Sequence, residues 1–296
     1  MLSWQPPSHW QRITTIDAHT AGEPLRMITS GFPELPGSTI LEKRQYARQH
    51  YDHLRRTLMF EPRGHADMYG CILVPPVTPD GDIGVLFMHN EGFSTMCGHG
   101  IIGLVKVGVE TGLFPADGTQ RIIRIDTPAG RVTATAHMKD GRVERVSFFN
   151  VPSFLLGQAL NVEVPDLGNV TYDLAFGGAF YAYVNAESLG LELTPENQRQ
   201  LIDAGMRIKR AVMASYVIKH PDPNAGADLN FLYGTIFVKL TPAGSSHSRN
   251  VCIFAEGEVD RSPTGTGVSG RLAIHHAKGE IGTETILIES ILGTTF

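Results

Sequence analysis

The 296 residues contain no apolar run near the roughly 20 that a membrane-spanning helix requires. The opening residues, Met1-Leu2-Ser3-Trp4-Gln5-Pro6-Pro7, lack the basic region and apolar stretch of a secretory signal, and neither end carries a lipidation signature. A cytoplasmic location away from any membrane is therefore expected. Cysteine is scarce: Cys71, Cys97 and Cys252 form an odd set of three, which is no disulfide framework and leaves room for a working thiol. Basic residues are outnumbered, 25 Lys and Arg against 30 Asp and Glu. The net charge of -5 offers no cationic surplus to displace phosphate counterions, so the expected partner is a small molecule rather than nucleic acid. With 42% hydrophobic and 19% charged residues the composition also argues against disorder. What is plentiful is glycine, 32 in all, which implies tight turns or close approach of backbone to a ligand.

Short alternating runs bounded by Gly, Pro, Asn and Asp recur at 13–19, 25–30, 83–89, 121–126, 131–137, 142–149, 231–239 and 251–255, and read as strands. Helical periodicity is confined to 39–56, to 195–215 with Thr194 as its cap, and to two shorter stretches. The class is strand-rich α/β or α+β, with the length favouring two domains. The punctuation from Thr127-Pro128-Ala129-Gly130 onward places the expected boundary near residue 128, giving domains 1–128 and 129–296. The chain stops in mid strand pattern over 287–296 and is expected to be truncated there.

Two segments match in register. Cys97-Gly98-His99-Gly100 and Thr264-Gly265-Thr266-Gly267 each lead into an apolar stretch of equal length that closes on a glycine, Gly112 or Gly279. A glycine-rich turn entering a helix leaves N–H groups free to point at an anion, and the helix dipole adds partial positive charge. Two such ends facing each other would grip one carboxylate. Both segments also satisfy G-x-G-x-x-G, but the dinucleotide fingerprint begins directly after a strand, whereas 90–96 and 257–263 intervene here, so that reading is set aside.

Cys97, at the mouth of the first helix, is placed where dipole and nearby donors favour thiolate, the form that acts as base or nucleophile. Cys71 and Cys252, inside strand-like runs, read as small buried hydrophobes. Cys97 and His99 do not complete a zinc site, since no second pair has suitable spacing, and metal binding is not expected. Asp260, just before the second turn, reads either as a cap or salt bridge with Arg261, or as the partner of a substrate ammonium.

Asp17-Ala18-His19-Thr20-Ala21-Gly22-Glu23-Pro24, Glu61-Pro62-Arg63-Gly64-His65, Met96-Cys97-Gly98-His99-Gly100, Phe176-Gly177-Gly178-Ala179-Phe180-Tyr181 and Asp260-Arg261-Ser262-Pro263-Thr264-Gly265-Thr266-Gly267 together resemble the proline racemase family, in order over nearly the whole chain. The resemblance implies a diaminopimelate-epimerase-like fold, two similar domains each with a sheet wrapped around a central helix, with the active site between them and no cofactor. It makes Cys97 a proton-transferring thiol, gives the substrate carboxylate to the amides of Gly98, His99, Gly265 and Thr266, gives the ring nitrogen to His99 and Asp260, and walls the pocket with Tyr69 and Phe254. A homodimer is compatible with it.

One departure selects the reaction. Racemases and epimerases of the family carry a second cysteine where this chain has Thr264, and a threonine hydroxyl is too weak an acid or base to replace a thiol near neutral pH. Thr264 is similar to the dehydratase branch, which acts on trans-3-hydroxy-L-proline and forms pyrroline-2-carboxylate. In that substrate the 3-hydroxyl and the α-hydrogen share a ring face, so one thiol is expected to serve both: Cys97 thiolate takes the α-proton, and the resulting thiol, or a water beside it, protonates the departing hydroxyl. Thr264 is expected beside Cys97 in the catalytic pair, either hydrogen-bonding that hydroxyl or filling space. The rivals are a proline or 4-hydroxyproline racemase/epimerase with an unrecognised second acid, and a non-catalytic amino-acid-binding relative.

Overall fold

A computed structural model describes residues 4–241 and 246–296. Its strands fall into two sheets that divide the chain by sequence. The first takes β1 (Thr14–Thr20), β2 (Glu23–Ser30), β3 (Tyr69–Val74), β4 (Ile83–His89), β5 (Gln120–Thr127), β6 (Gly130–Lys139) and β7 (Arg142–Phe149), in sequence order. The second runs β13-β12-β11-β10-β9-β8, where β8 is Phe154–Val164, β9 Gly168–Phe176, β10 Phe180–Asn185, β11 Leu232–Leu240, β12 Ser248–Phe254 and β13 Glu258–Val259. A short β14 (Ile288–Glu289) joins β12 in parallel. Most neighbours are antiparallel, but β2/β3, β4/β5 and β10/β11 are parallel, because each of those connections carries the chain across a helix or long loop.

Among the described residues five α-helices accompany the sheets: α1 (Ile40–His50), α2 (Asp52–Met59), α3 (Gly98–Glu110), α4 (Gln198–Ser215) and α5 (Gly265–Ala277). The first sheet curls around α3, which packs against β1, β2, β6 and β7. Its Ile101, Leu104 and Val105 are fully buried, and β6 meets them with the alternation its sequence dictates, Val132, Ala134 and Ala136 inward. In the second half α5 lies on β8, β9 and β10, while α4 covers β8, β11 and β12. Each half is a sheet around a central helix, as expected. No helix among the described residues is long and apolar enough to cross a membrane.

Three expectations change. The division between sheets falls at 150–153, after Phe149, rather than near 128. Thr127 and Gly130 close the β5–β6 register, so the glycine-containing turn that looked like a linker is a hairpin inside the first sheet. The helix expected over 39–56 is two, broken at Tyr51. Its start is a capping box in which Thr39 Oγ1 accepts from the Glu42 N–H at 3.1 Å. Thr194 makes no side-chain cap bond, and a 3₁₀ turn, Pro195–Asn197, precedes α4 instead.

Candidate active site

The matching glycine turns are the starts of the two central helices, and they meet between the halves. A Cβ on Gly98 would lie 2.7 Å from Gly265 Cα, so only paired glycines permit this approach. Cys97 caps α3 in extended conformation, its Sγ accepting from the Gly100 N–H at 3.3 Å. Thr264 caps α5 at φ +65°, a left-handed conformation that costs a β-branched residue strain of about 1–3 kcal/mol. Two buried bonds hold it there: its N–H donates to Ser262 Oγ at 3.2 Å, and its Oγ1 donates to Asp260 Oδ2 at 2.8 Å. The other Asp260 oxygen accepts the Ser262 N–H at 2.8 Å, while Arg261 pairs with Asp67 at 3.0 Å. Asp260 thus organises its own turn and makes no ion pair with Arg261.

All nine residues singled out from the sequence, Tyr69, Cys97, Gly98, His99, Phe254, Asp260, Thr264, Gly265 and Thr266, line one cavity between the halves. Its volume of about 20 Å³ suits roughly one water and is far below that of a five-membered-ring amino acid, so ligand entry requires the halves to part. Larger grooves exist, one of about 840 Å³ beside α1 and the β5–β6 turn, but that one brings no thiol to an imidazole.

Four further residues belong here. Tyr181 bonds Thr266 through its hydroxyl at 2.6 Å, and Tyr233 stacks on Phe254 with ring centres 5.4 Å apart. Cys252, expected only as core filling, lines the cavity next to Thr264. Tyr181 lies within a quoted motif, whereas Tyr233 and Cys252 carried no signal beyond strand alternation. The fourth, Glu23, sits behind the cavity. It is fully buried, its Oε2 accepts the Arg261 N–H at 2.8 Å, and its Oε1 has no partner among the described residues. Burial, followed by the charge of Asp260, raises the Glu23 carboxyl well above the usual range.

His99 Nε2 lies 3.2 Å from the Pro24 carbonyl and Nδ1 3.2 Å from Cys97 Sγ. A carbonyl only accepts, so Nε2 carries the proton and Nδ1 is left to accept from the thiol. Burial lowers the His99 imidazole, opposed by Asp260. At Cys97 burial outweighs the helix start: the thiol is pushed well above its usual value, with the Gly100 N–H and the Tyr69 hydroxyl acting in the opposite direction. In this closed form the pair is a neutral thiol and a neutral imidazole, unlike the thiolate expected from position alone.

Glu23, His99 and Asp260 place donor atoms within 4.8 Å of one another. Both His99 nitrogens are engaged and each Asp260 oxygen already accepts one hydrogen bond, so among the described residues only Glu23 Oε1 is wholly unpartnered in this cluster, which is a poor donor set for a cation.

The model of the family described as "Proline racemase" matches residues 15–296. Among curated proteins, the chain is 52% identical to a trans-3-hydroxy-L-proline dehydratase of Colwellia psychrerythraea, over 99% of this chain and 83% of that one. It is 47% identical to the human trans-3-hydroxy-L-proline dehydratase, over 96% and 81%. Among solved structures, a hydroxyproline epimerase from Agrobacterium vitis with bound trans-4-hydroxy-L-proline superposes with a TM-score of 0.90 at 29% identity, covering 96% of this chain and 82% of the other.

Proposed function

Because the chain belongs to the proline racemase family, we propose that it removes water from trans-3-hydroxy-L-proline to give pyrroline-2-carboxylate, with Cys97 as the base. The observation that carries this choice is Thr264. At the start of the second central helix there is no thiol, and the hydroxyl that stands there gives its proton to Asp260. A racemase needs a base on one ring face and an acid on the other, whereas a syn elimination of this substrate needs its proton chemistry on one face only. The relatives named above support the same choice, since those matched at 52% and 47% identity are trans-3-hydroxy-L-proline dehydratases.

The N–H groups of Gly98, His99, Gly265 and Thr266 at the facing helix starts receive the carboxylate, and the same donors stabilise the enediolate as charge moves onto it. Asp260 and His99 receive the ring nitrogen. The Cys97 thiol loses its proton to water while the halves are parted for entry, and the arriving ammonium, bringing positive charge into the buried site, then favours thiolate over thiol. Thiolate takes the α-proton, the C3–O bond breaks, and the enamine tautomerises to the cyclic imine.

Cys252 gives the racemase/epimerase reading its one foothold, being a second thiol on the cavity wall, from the second half. Incubation with trans-3-hydroxy-L-proline, L-proline and trans-4-hydroxy-L-proline separates the two. Imine from the first with no change of rotation in the others is expected, and the reverse pattern overturns the reading. A cytoplasmic location and a homodimer complete the proposal, checked by fractionation and by sedimentation.

A further inference from the structure

The cavity holds a second proton donor beside the thiol. The Tyr69 hydroxyl, buried on β3, contacts Ser94 Oγ at 2.6 Å and the Tyr233 hydroxyl at 3.3 Å, and it adjoins the Cys97 thiol. These three hydroxyls bring three protons to two oxygen–oxygen contacts, so one proton is always left for an acceptor outside the group. Tyr69 and Tyr233 both line the cavity, and of the two Tyr69 is the one hydrogen-bonded to the Cys97 thiol.

Dehydration poses a second demand, for which the thiol left on Cys97 or a water is the expected donor, and the cavity offers a dedicated one. Hydroxide is a poor leaving group, and the C3–O bond breaks readily only if the oxygen is protonated as it departs. Stereochemistry puts that oxygen on the ring face of the α-hydrogen, the face that Cys97 attends. Thr264 is unsuited, because it approaches from the other half and its proton is given to Asp260. Resting on the dehydration reading, we propose that Tyr69 is the general acid that protonates the departing 3-hydroxyl.

The step balances without any further reactant. Cys97 thiolate takes the α-proton and becomes thiol, while the C–H electron pair passes into the enediolate. That pair then forms the ring double bond as the C3–O pair leaves with oxygen, which takes the Tyr69 proton and departs as water. The tyrosinate recovers a proton from the adjoining Cys97 thiol, restoring thiolate and phenol. Burial keeps Tyr69 protonated, raising its hydroxyl well above the usual phenol value, as an acid requires.

The experiment replaces the leaving group. Fluoride is the anion of a far stronger acid than water, so its loss from trans-3-fluoro-L-proline depends on the base and hardly on an acid. Tyr69→Phe is expected to slow imine formation from trans-3-hydroxy-L-proline at least about a hundredfold, while fluoride release, read with an ion-selective electrode, stays within about tenfold. Cys97→Ser loses both. Equal losses in Tyr69→Phe, or no loss in either, overturn the assignment. If Tyr69→Phe fails to melt cooperatively, Ser94→Ala, which keeps the phenol and removes its partner, makes the same comparison. Its water loss is expected to slow several-fold relative to fluoride loss, and equal rates overturn the assignment. A wild type that releases fluoride but forms no imine from the hydroxy substrate refutes the dehydration reading itself, and the acid with it. Fluoride release by Cys97→Ser refutes the base instead.

Discussion

Gly98 and Gly265 touch backbone to backbone across the seam between the two halves, with no space for a methyl group on either: a Cβ on Gly98 would meet Gly265 Cα at 2.7 Å, and one on Gly265 would meet Gly98 Cα at 2.9 Å. Neither contact can be relieved by turning a side chain. Gly98→Ala is expected to cost about 1–3 kcal/mol of stability and to separate the N–H groups proposed to share one carboxylate, raising KM for trans-3-hydroxy-L-proline more than tenfold. Urea melts and steady-state kinetics check both parts.

Cys97→Ser is nearly isosteric and keeps the cap bond from the Gly100 N–H available. It is expected to reduce dehydration at least about a hundredfold with little change in melting temperature. Activity within tenfold of wild type refutes Cys97 as base.

Asp260→Asn removes the charge proposed to meet the ring ammonium while keeping an oxygen for the Ser262 N–H. Loss of a buried charged partner is expected to cost about 2–5 kcal/mol of binding. Calorimetry with a charged proline analogue measures it. Unchanged affinity rejects the role.

Glu23 gives a pH-dependent signature. Burial raises its carboxyl well above the ordinary 4.5, so the folded state holds this proton more tightly than the unfolded chain. The stabilisation is complete below the unfolded value and is lost as pH rises toward the folded one. Glu23→Gln, which cannot ionise, is expected to match wild type near pH 4 and to melt at a higher temperature than wild type by pH 8. The groups facing it, Asp260, Arg261, Asp67 and His99, are common to both proteins, so their titration largely cancels in the difference. A flat difference across that range refutes a neutral Glu23.

Thr264→Cys puts a thiol at the start of the second central helix. The variant is expected to gain measurable racemisation of L-proline, followed by optical rotation, from a wild type with essentially none. Losing the Thr264 hydroxyl bond to Asp260 limits the gain, so a weak activity suffices. Robust racemisation by the wild type contradicts the one-face mechanism, and Cys252 is then the thiol to replace first.

The linear sequence determined the local elements and the chemistry of each helix start. Period-two runs such as β6 became strands because alternate apolar residues must be buried, and Cys97 and Thr264 stand at helix starts, whose first N–H groups have no partner within the helix and which the following glycines leave open to close approach. Seven cavity residues, Cys97, Gly98, His99, Asp260, Thr264, Gly265 and Thr266, were readable because they sit in motifs whose spacing is itself local, whereas Tyr69 and Phe254 came from the family resemblance alone. Tertiary structure decided the rest. A hairpin turn and a linker use the same residues, so only strand pairing could show that the 127–130 turn lies inside the first sheet. Cys252 and Glu23 joined the site through contacts between distant segments: Glu23 is bonded to Arg261 across 238 positions. The state of Cys97 was reversed by the same cause, since the dipole of a helix start is local but desolvation depends on everything packed around it, and here burial is the larger effect.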